Sequence, residues 1–284
     1  VYRDNRFVLG VDYARKFAIV DVEAGLAYMY DRVALRSKAS HFIMPRVKVL
    51  VDLNKVAFVP FVELNTTVSQ NGISSLYKQN PYIDFEAMQH TLDAMPNTRS
   101  YNLSLGFSGT AASSRIAYRA YVGANFMRNQ LLWYVTSPGL FGVDTINNNR
   151  LFVGIEAEAR PVGGLIIGVS FYAHADNEKS VYTPSDSRMK ACLNVEYTHR
   201  RWRVYAEADV IGKRVWSQMT TTNESNIAMS VPTKVDLKVG VSYRASQRVE
   251  IYANGLNLLN SNIYDFAYYY RNGIGFDAGI KLNF

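Results

Sequence analysis

The chain has 284 residues, a net charge of +7 and a single cysteine, Cys192. Lys and Arg are spread singly along the chain instead of clustering, which argues against a basic groove for nucleic acid. One thiol excludes an internal disulfide, and one thiol with four scattered histidines argues against a structural zinc site. No apolar run reaches the roughly 18 residues of a transmembrane helix, so we expect none.

Apolar and polar residues alternate in thirteen segments. In 17–30, for example, Leu26 and Tyr28 share one face while Asp21 and Glu23 share the other. A period of two is typical of a strand between an apolar and a polar medium. The segments are 3–14, 17–30, 41–53, 55–67, 98–108, 114–128, 149–160, 163–175, 187–199, 201–213, 233–245, 247–259 and 270–284.

The length of these segments separates two kinds of β protein. Strands of a soluble sandwich usually have about five or six residues. Tilted strands that cross a bilayer need about nine to eleven. The sequence therefore predicts an all-β fold, a transmembrane antiparallel β-barrel of a bacterial outer membrane, whose apolar face contacts outer-membrane lipid.

Short and long connections alternate along the chain. Short turns on the periplasmic side and longer loops outside are typical of outer-membrane barrels. We expect turns at 15–16, 54–55, 109–113, 161–162, 199–201 and 246, and loops at 31–40, 68–97, 129–148, 176–186, 214–232 and 260–269. Because bacterial single-chain barrels have even strand numbers, about thirteen strands predict at least one more before Val1, or a missed strand such as 131–136.

Two prolines fall inside neighbouring predicted strands, Pro45 and Pro60. Proline lacks the N–H that a β-ladder needs, so we expect a bulge or kink there. A plug or partner docked on that part of the wall is the alternative.

A catalytic site is not expected. Ser170, His174 and Asp176 share the polar face of one segment. Residues four apart on a strand are about 13 Å apart, so Ser170 cannot reach His174 and only a neighbouring strand could complete a relay. We predict no enzyme activity, no cofactor and no metal site.

Aromatic residues at the segment ends predict the two membrane interfaces, because aromatic side chains are enriched at the level of the lipid headgroups, between hydrocarbon and water. The predicted interface residues are Tyr13, Trp202, Tyr243 and Phe284 on the periplasmic side, and Tyr28, Tyr30 and Phe126 on the outer side.

The long loops carry further apolar side chains. They are Leu76, Tyr77 and Tyr82 in one loop and Trp133, Tyr134 and Phe141 in another. These residues are candidates for contact with a ligand, another outer-membrane protein or a surface lipoprotein, and packing among themselves is the alternative.

The end of the chain carries a resemblance to a known family. The stretch from Val249 to Asn260, with Tyr264 and the strand that ends at Phe284, resembles the last two strands of TonB-dependent receptors. The segment from Ser74 to Tyr82 resembles a loop of receptors from Bacteroidetes-type bacteria. The terminal Phe284 is the expected contact of the barrel assembly machinery.

The resemblance implies a 22-stranded barrel closed by an N-terminal plug, which imports scarce nutrients with energy from the inner membrane. Thirteen strands are fewer than that, and residues 1–284 contain no plug domain. We therefore interpret 1–284 as the C-terminal part of a single barrel involved in nutrient uptake. The alternative is a non-transport barrel subunit of a larger outer-membrane assembly.

Overall fold

The computed structural model describes residues 5–32, 39–53, 57–88, 95–177, 186–218, 226–271 and 273–282. The helix α1 spans Ile73–Gln79. The strands are β1 Asn5–Phe17, β2 Val20–Arg32, β3 Ser40–Val51, β4 Phe58–Ser69, β5 Thr98–Ala111, β6 Ile116–Ser137, β7 Leu140–Ala159, β8 Leu165–Asp176, β9 Met189–His199, β10 Trp202–Ile211, β11 Arg214–Gln218, β12 Asn226–Val231, β13 Lys234–Arg244, β14 Val249–Leu256, β15 Tyr264–Phe266, β16 Tyr269–Tyr270 and β17 Gly275–Leu282. None of the helices in the described ranges has the length and apolar composition needed to cross a bilayer.

Thirteen strands form one continuous antiparallel wall. Its order is β1 to β10, then β13, β14 and β17, so each strand pairs with the wall strand before it in the sequence. The predicted number of strands is confirmed. Within the described ranges β1 pairs only with β2 and β17 only with β14, which leaves one edge of each strand unpaired.

The two faces of the wall differ in polarity as the alternation predicts. Large apolar side chains stand exposed on one face, including Val11 at 70%, Leu151 at 67% and Phe276 at 79% exposure. On the other face, ion pairs cross between strands, such as Arg46–Asp12 at 2.6 Å. We call these the apolar face and the polar face. An exposed apolar face of this extent is typical of a barrel surface in contact with lipid.

The turn between β1 and β2 lies later than predicted. Arg15 and Lys16 pair with Val22 and Asp21 inside the ladder. The chain reverses at Ala18 and Ile19, where Ala18 has a φ of 50°. Charge alone was a poor guide to this turn, because Lys16 reaches Asp21 across the ladder at 3.7 Å.

Pro45 and Pro60 lie in β3 and β4, next to a short ladder between these two strands, and neither proline introduces a bulge. Pro45 pairs in register with Leu26, and Pro60 pairs in register with Phe107. The ladder between β3 and β4 is confined to Val47–Leu50 and their partners. Of the expected bulge or kink, the described ladders therefore show no bulge at either proline, and the interruption near them is the shortness of the ladder between β3 and β4.

The predicted loop 129–148 is largely a β-ribbon. Strands β6 and β7 continue past the wall and pair from Gln130–Ile146 to Ser137–Leu140. A bulge lies between Met127 and Gln130, where Asn129 has a φ of 55°. It breaks the alternation that β6 follows from Ile116 to Met127. The missed strand suspected at 131–136 belongs to this ribbon.

Two buried apolar clusters lie among the long connections. The first buried cluster contains Leu76, Ile83, Met88, Met95, Tyr134 and Val143. The second contains Val135, Phe141, Trp216, Val231 and Ala267. Helix α1, the β6–β7 ribbon and the hairpins β11–β12 and β15–β16 therefore form a packed layer at one end of the wall, which we call the loop layer.

Candidate functional site

A charged cleft lies on the polar face of the wall, next to the loop layer. Its volume is about 650 Å³. Strands β6 to β10 and β13 supply its wall, and Arg214, Asp265 and Arg271 reach it from the loop layer. The charged residues that line it are Glu156, Asp186, Lys190, Asp209, Arg214, Asp236, Lys238, Asp265 and Arg271.

Two of the cations in the cleft are held by carboxylates. Lys238 Nζ lies 2.6 Å from Glu207 Oε1 and 3.0 Å from Asp209 Oδ2. Arg271 Nη1 lies 3.0 Å from Asp236 Oδ2, and Arg271 Nη2 lies 2.9 Å from Asp265 Oδ1. The hydrogen bonds from Arg271 to Asp265 raise the pKa of its guanidinium. Two cations and four carboxylates meet in these ion pairs, so together they carry a net charge of −2.

Two other cations lack such a partner. In the part of the chain that the structure describes, Lys190 and Arg214 form no ion pair, although both line the cleft. Arg214 lies 5.1 Å from the Trp216 ring centroid, and its buried Nε has no hydrogen-bond acceptor. Burial lowers the pKa of Arg214 without bringing it near neutrality. The cleft therefore has two positive groups available to an anion.

A buried polar cluster adjoins the cleft where β7 and β8 meet the loop layer. Arg150 Nε donates to Asp176 at 2.7 Å, and Arg150 Nη1 lies 2.8 Å from Asp186 Oδ2. His174 lies on the same face of β8 as Asp176, and 8% of His174 is exposed. Ser170 lies on that face too and pairs in the ladder with Glu156 on β7 and Cys192 on β9, so neighbouring strands bring no histidine to it.

The residues predicted to contact a ligand or partner pack mainly against one another. Leu76 and Tyr134 are buried in the first apolar cluster, and Phe141 is buried in the second. Tyr82 stacks on Tyr269 with ring centroids 3.5 Å apart. Trp133 is partly buried against both clusters, whereas Tyr77 is 52% exposed.

Most of the predicted interface residues lie on the apolar face. Tyr13, Tyr28, Phe126 and Trp202 are each more than 40% exposed there. Tyr30 is half-buried next to His41, and Tyr243 is half-buried against Trp202 with ring centroids 4.7 Å apart. Phe284 lies outside the described residues.

Sequence reasoning missed the cleft itself. The alternation places Lys190, Asp209 and Lys238 on the polar face, as observed. Arg214 and Asp265 come from predicted loops, and Arg271 comes from the first residues of the predicted segment 270–284, so the alternation does not report where these side chains meet. A high density of charge in 207–214 and 234–238 is the signal that could have pointed to the cleft.

Solved structures identify the architecture. The whole chain superposes on the pyoverdine outer-membrane receptor FpvA from Pseudomonas aeruginosa PAO1, with a TM-score of 0.67, 12% identity and 43% of that receptor covered. The copper transporter OprC gives a TM-score of 0.71 at 11% identity, with 99% of this chain and 48% of that one covered. The siderophore receptor PiuA from Acinetobacter baumannii gives 0.66 at 10% identity, with 98% and 43% covered.

The fold is that of an outer-membrane β-barrel. At these identities the likeness concerns the fold alone, and the chain spans less than half the length of these receptors. No protein-family model matches the sequence, and no curated protein matches it. In a barrel of this kind the polar face lines the lumen and the apolar face contacts lipid, so the cleft lies in the lumen.

Proposed function

We propose that this chain forms the C-terminal wall of a TonB-dependent uptake receptor in a bacterial outer membrane. The receptor fold supports this proposal, and so does the resemblance of Val249–Asn260 to the last strands of that family. The observation that carries it is the luminal cleft beneath the loop layer. The cleft is large enough for a small nutrient and holds two cations that have no ion-pair partner in the described ranges.

The orientation follows from the lengths of the connections. The loop layer faces the exterior, and the short turns such as 160–164 face the periplasm. Tyr77, exposed on the loop layer, is the strongest candidate for contact with a ligand or another outer-membrane protein. Contact of Phe284 with the barrel assembly machinery stays a prediction.

The unpaired edges support a larger barrel. Strand β1 is exposed along all 13 of its residues. Unpaired backbone N–H and C=O groups cannot remain in a bilayer core, because no water is there to bind them. Further strands of the same barrel, between β17 and β1, would pair both edges.

Lys190 and Arg214 favour an anionic ligand. A negatively charged molecule would supply the ion-pair partner that neither of these groups has among the described residues. The pyoverdine receptor and the siderophore receptor among the related structures are named for metal-chelating ligands. We therefore propose anionic metal chelates as the substrate class.

Uptake by cells tests this proposal. Cells with and without the gene would be given radioactive iron as a panel of anionic ferric chelates, in the presence and absence of a protonophore. We expect gene-dependent, protonophore-sensitive uptake of at least one chelate. The double variant Lys190→Gln with Arg214→Gln should lose most of it, whereas Arg248→Gln, an exposed arginine in a short turn, should not.

Two results would contradict the proposal. Uptake that is the same with and without the gene for every chelate would remove the transport function and favour a non-transport subunit. Uptake that depends on the gene but is unchanged in the double variant would remove the cleft as the binding site.

A further inference from the structure

The cluster beside the cleft contains three groups that can bind a metal ion. His174 and Asp176 are two residues apart on β8 and so point to the same face. Asp186 approaches them from the segment that leads into β9. His174 Nε2 lies 3.5 Å from Asp176 Oδ2 and 3.6 Å from Asp186 Oδ2.

These groups lie farther apart than the partners of a normal hydrogen bond. The His174 side chain is 2% exposed, and neither of its ring nitrogens has a hydrogen-bond partner among the described residues. Asp176 Oδ2 and Asp186 Oδ1 are also buried without a donor there. A buried polar atom without a partner is unfavourable, so a group that satisfies several of them at once would be bound favourably.

The neighbours of Asp176 hold its free oxygen toward His174. Arg150 Nε and Asn148 Nδ2 both donate to Asp176 Oδ1, at 2.7 and 2.8 Å. That arrangement occupies one carboxylate oxygen and leaves the other directed at the imidazole. Outer groups that orient a ligand in this way are a regular part of metal sites.

The charge of the cluster also suits a cation. Asp176 and Asp186 carry two negative charges, and Arg150 offsets one of them. With a neutral imidazole, one negative charge is left over. This negative charge would attract a divalent cation and repel an anion.

We infer that His174, Asp176 and Asp186 form a binding site for a divalent transition-metal cation of the zinc class. Ligand atoms on a tetrahedral ion with bonds of about 2.1 Å lie about 3.4 Å apart, close to the two separations found. All three ligand atoms lie within 4.8 Å of one another. An imidazole favours zinc, copper, iron or nickel over magnesium and calcium.

The ion would tie the outer end of β8 to the start of the segment leading into β9. Asp186 and Ser187 line the cleft, so the bound ion would hold one side of its entrance. Water would complete the coordination. This role is separate from the proposed uptake, because neither Lys190 nor Arg214 belongs to the site.

Zinc binding to the full protein in detergent tests the inference. After chelator treatment the protein would be titrated with Zn²⁺ by calorimetry, and its metal content would be measured after dialysis. We expect one Zn²⁺ per chain. His174→Gln should weaken binding at least about tenfold, and Asn148→Ala, which loosens Asp176, should weaken it by about tenfold.

The matched control is His199→Gln, which removes an exposed imidazole at the short-turn end and should leave binding unchanged. Far-ultraviolet circular dichroism checks that each variant keeps its strands. If His174→Gln does not fold, Co²⁺ absorption of the wild-type protein in the visible range reports whether a nitrogen- and oxygen-ligated site forms.

Two results would overturn the inference. The first is a wild-type protein that binds no Zn²⁺ or Co²⁺. The second is equal binding by the His174→Gln and His199→Gln variants.

Discussion

Gly163 and Gly164 stand side by side in the turn between β7 and β8, but only one of them needs to be glycine. Gly164 has a φ of 82°, and a Cβ there would lie 2.0 Å from the carbonyl oxygen of Thr198. Gly163 has no atom within 4 Å of such a Cβ. The turn therefore depends on one of two adjacent glycines.

We predict that Gly164→Ala lowers the free energy of unfolding by about 1–3 kcal/mol, the cost of forcing a side chain into this backbone region. Gly163→Ala should leave it unchanged or raise it slightly, because alanine restricts the unfolded chain. Urea unfolding in detergent micelles measures both. Equal effects of the two substitutions would show that the turn geometry is wrong.

Asp84 links the loop after α1 to the β6–β7 ribbon. Its carboxylate accepts from the Ala87 N–H at 3.0 Å and from the Thr136 hydroxyl at 2.7 Å. These bonds, that of Ala87 first, hold the pKa of Asp84 below its ordinary value of 3.8. A lowered pKa contributes stability that is present above the unfolded value and lost as pH falls through the folded one.

We predict that the loop layer loosens below about pH 4, as Asp84 takes up a proton. Hydrogen exchange of residues 80–88 should accelerate there in the wild-type protein. In Thr136→Val exchange should already be faster at pH 7 and should change less on acidification. Identical pH profiles for the two proteins would refute this link.

The residues of the site show why part of it could be predicted. Alternation is a local property, so the inward direction of His174 and Lys238 follows from the sequence. The meeting of His174 with Asp186 does not, because the alternation within one strand says nothing about a residue beyond the next connection. Arg150, the group that joins Asp176 to Asp186, lies on another strand.

At the scale of elements, the β6–β7 ribbon organises the loop layer. Phe141 is fully buried and exchanges backbone hydrogen bonds with the loop after α1, donating to Tyr82 and accepting from Asp84. Its neighbour Leu140 is 41% exposed. The bulge at Asn129 hides this ribbon from a simple count of alternating residues, since it reverses the phase of the pattern.

We predict that Phe141→Ala removes about 3–5 kcal/mol from the stability of the loop layer, whereas Leu140→Ala removes little. The wall should survive both, because its ladders do not depend on this cluster. Limited proteolysis of the loops, with circular dichroism to monitor the strands, separates the two effects. Equal cleavage rates in both variants would mean that Phe141 does not hold the layer.

At the scale of the whole molecule, the apolar residues are distributed opposite to those of a soluble β protein. The wall exposes them outward, and charged pairs occupy the polar face. This arrangement was predictable, because thirteen segments repeat one pattern. The closure of the barrel was not, and within the described ranges β1 and β17 each keep one edge without a partner strand.

Spin labels on β7 and β8 test most directly whether lipid covers the apolar face. In a Cys192→Ser background, labels would be placed at the outward Leu151 and Ile155 and at the inward Glu156 and Ser170, with the protein in lipid bilayers. We predict that oxygen dissolved in lipid relaxes the outward labels and a water-soluble nickel complex relaxes the inward ones. Outward labels that respond to the nickel complex, or that neither reagent reaches, would contradict the account.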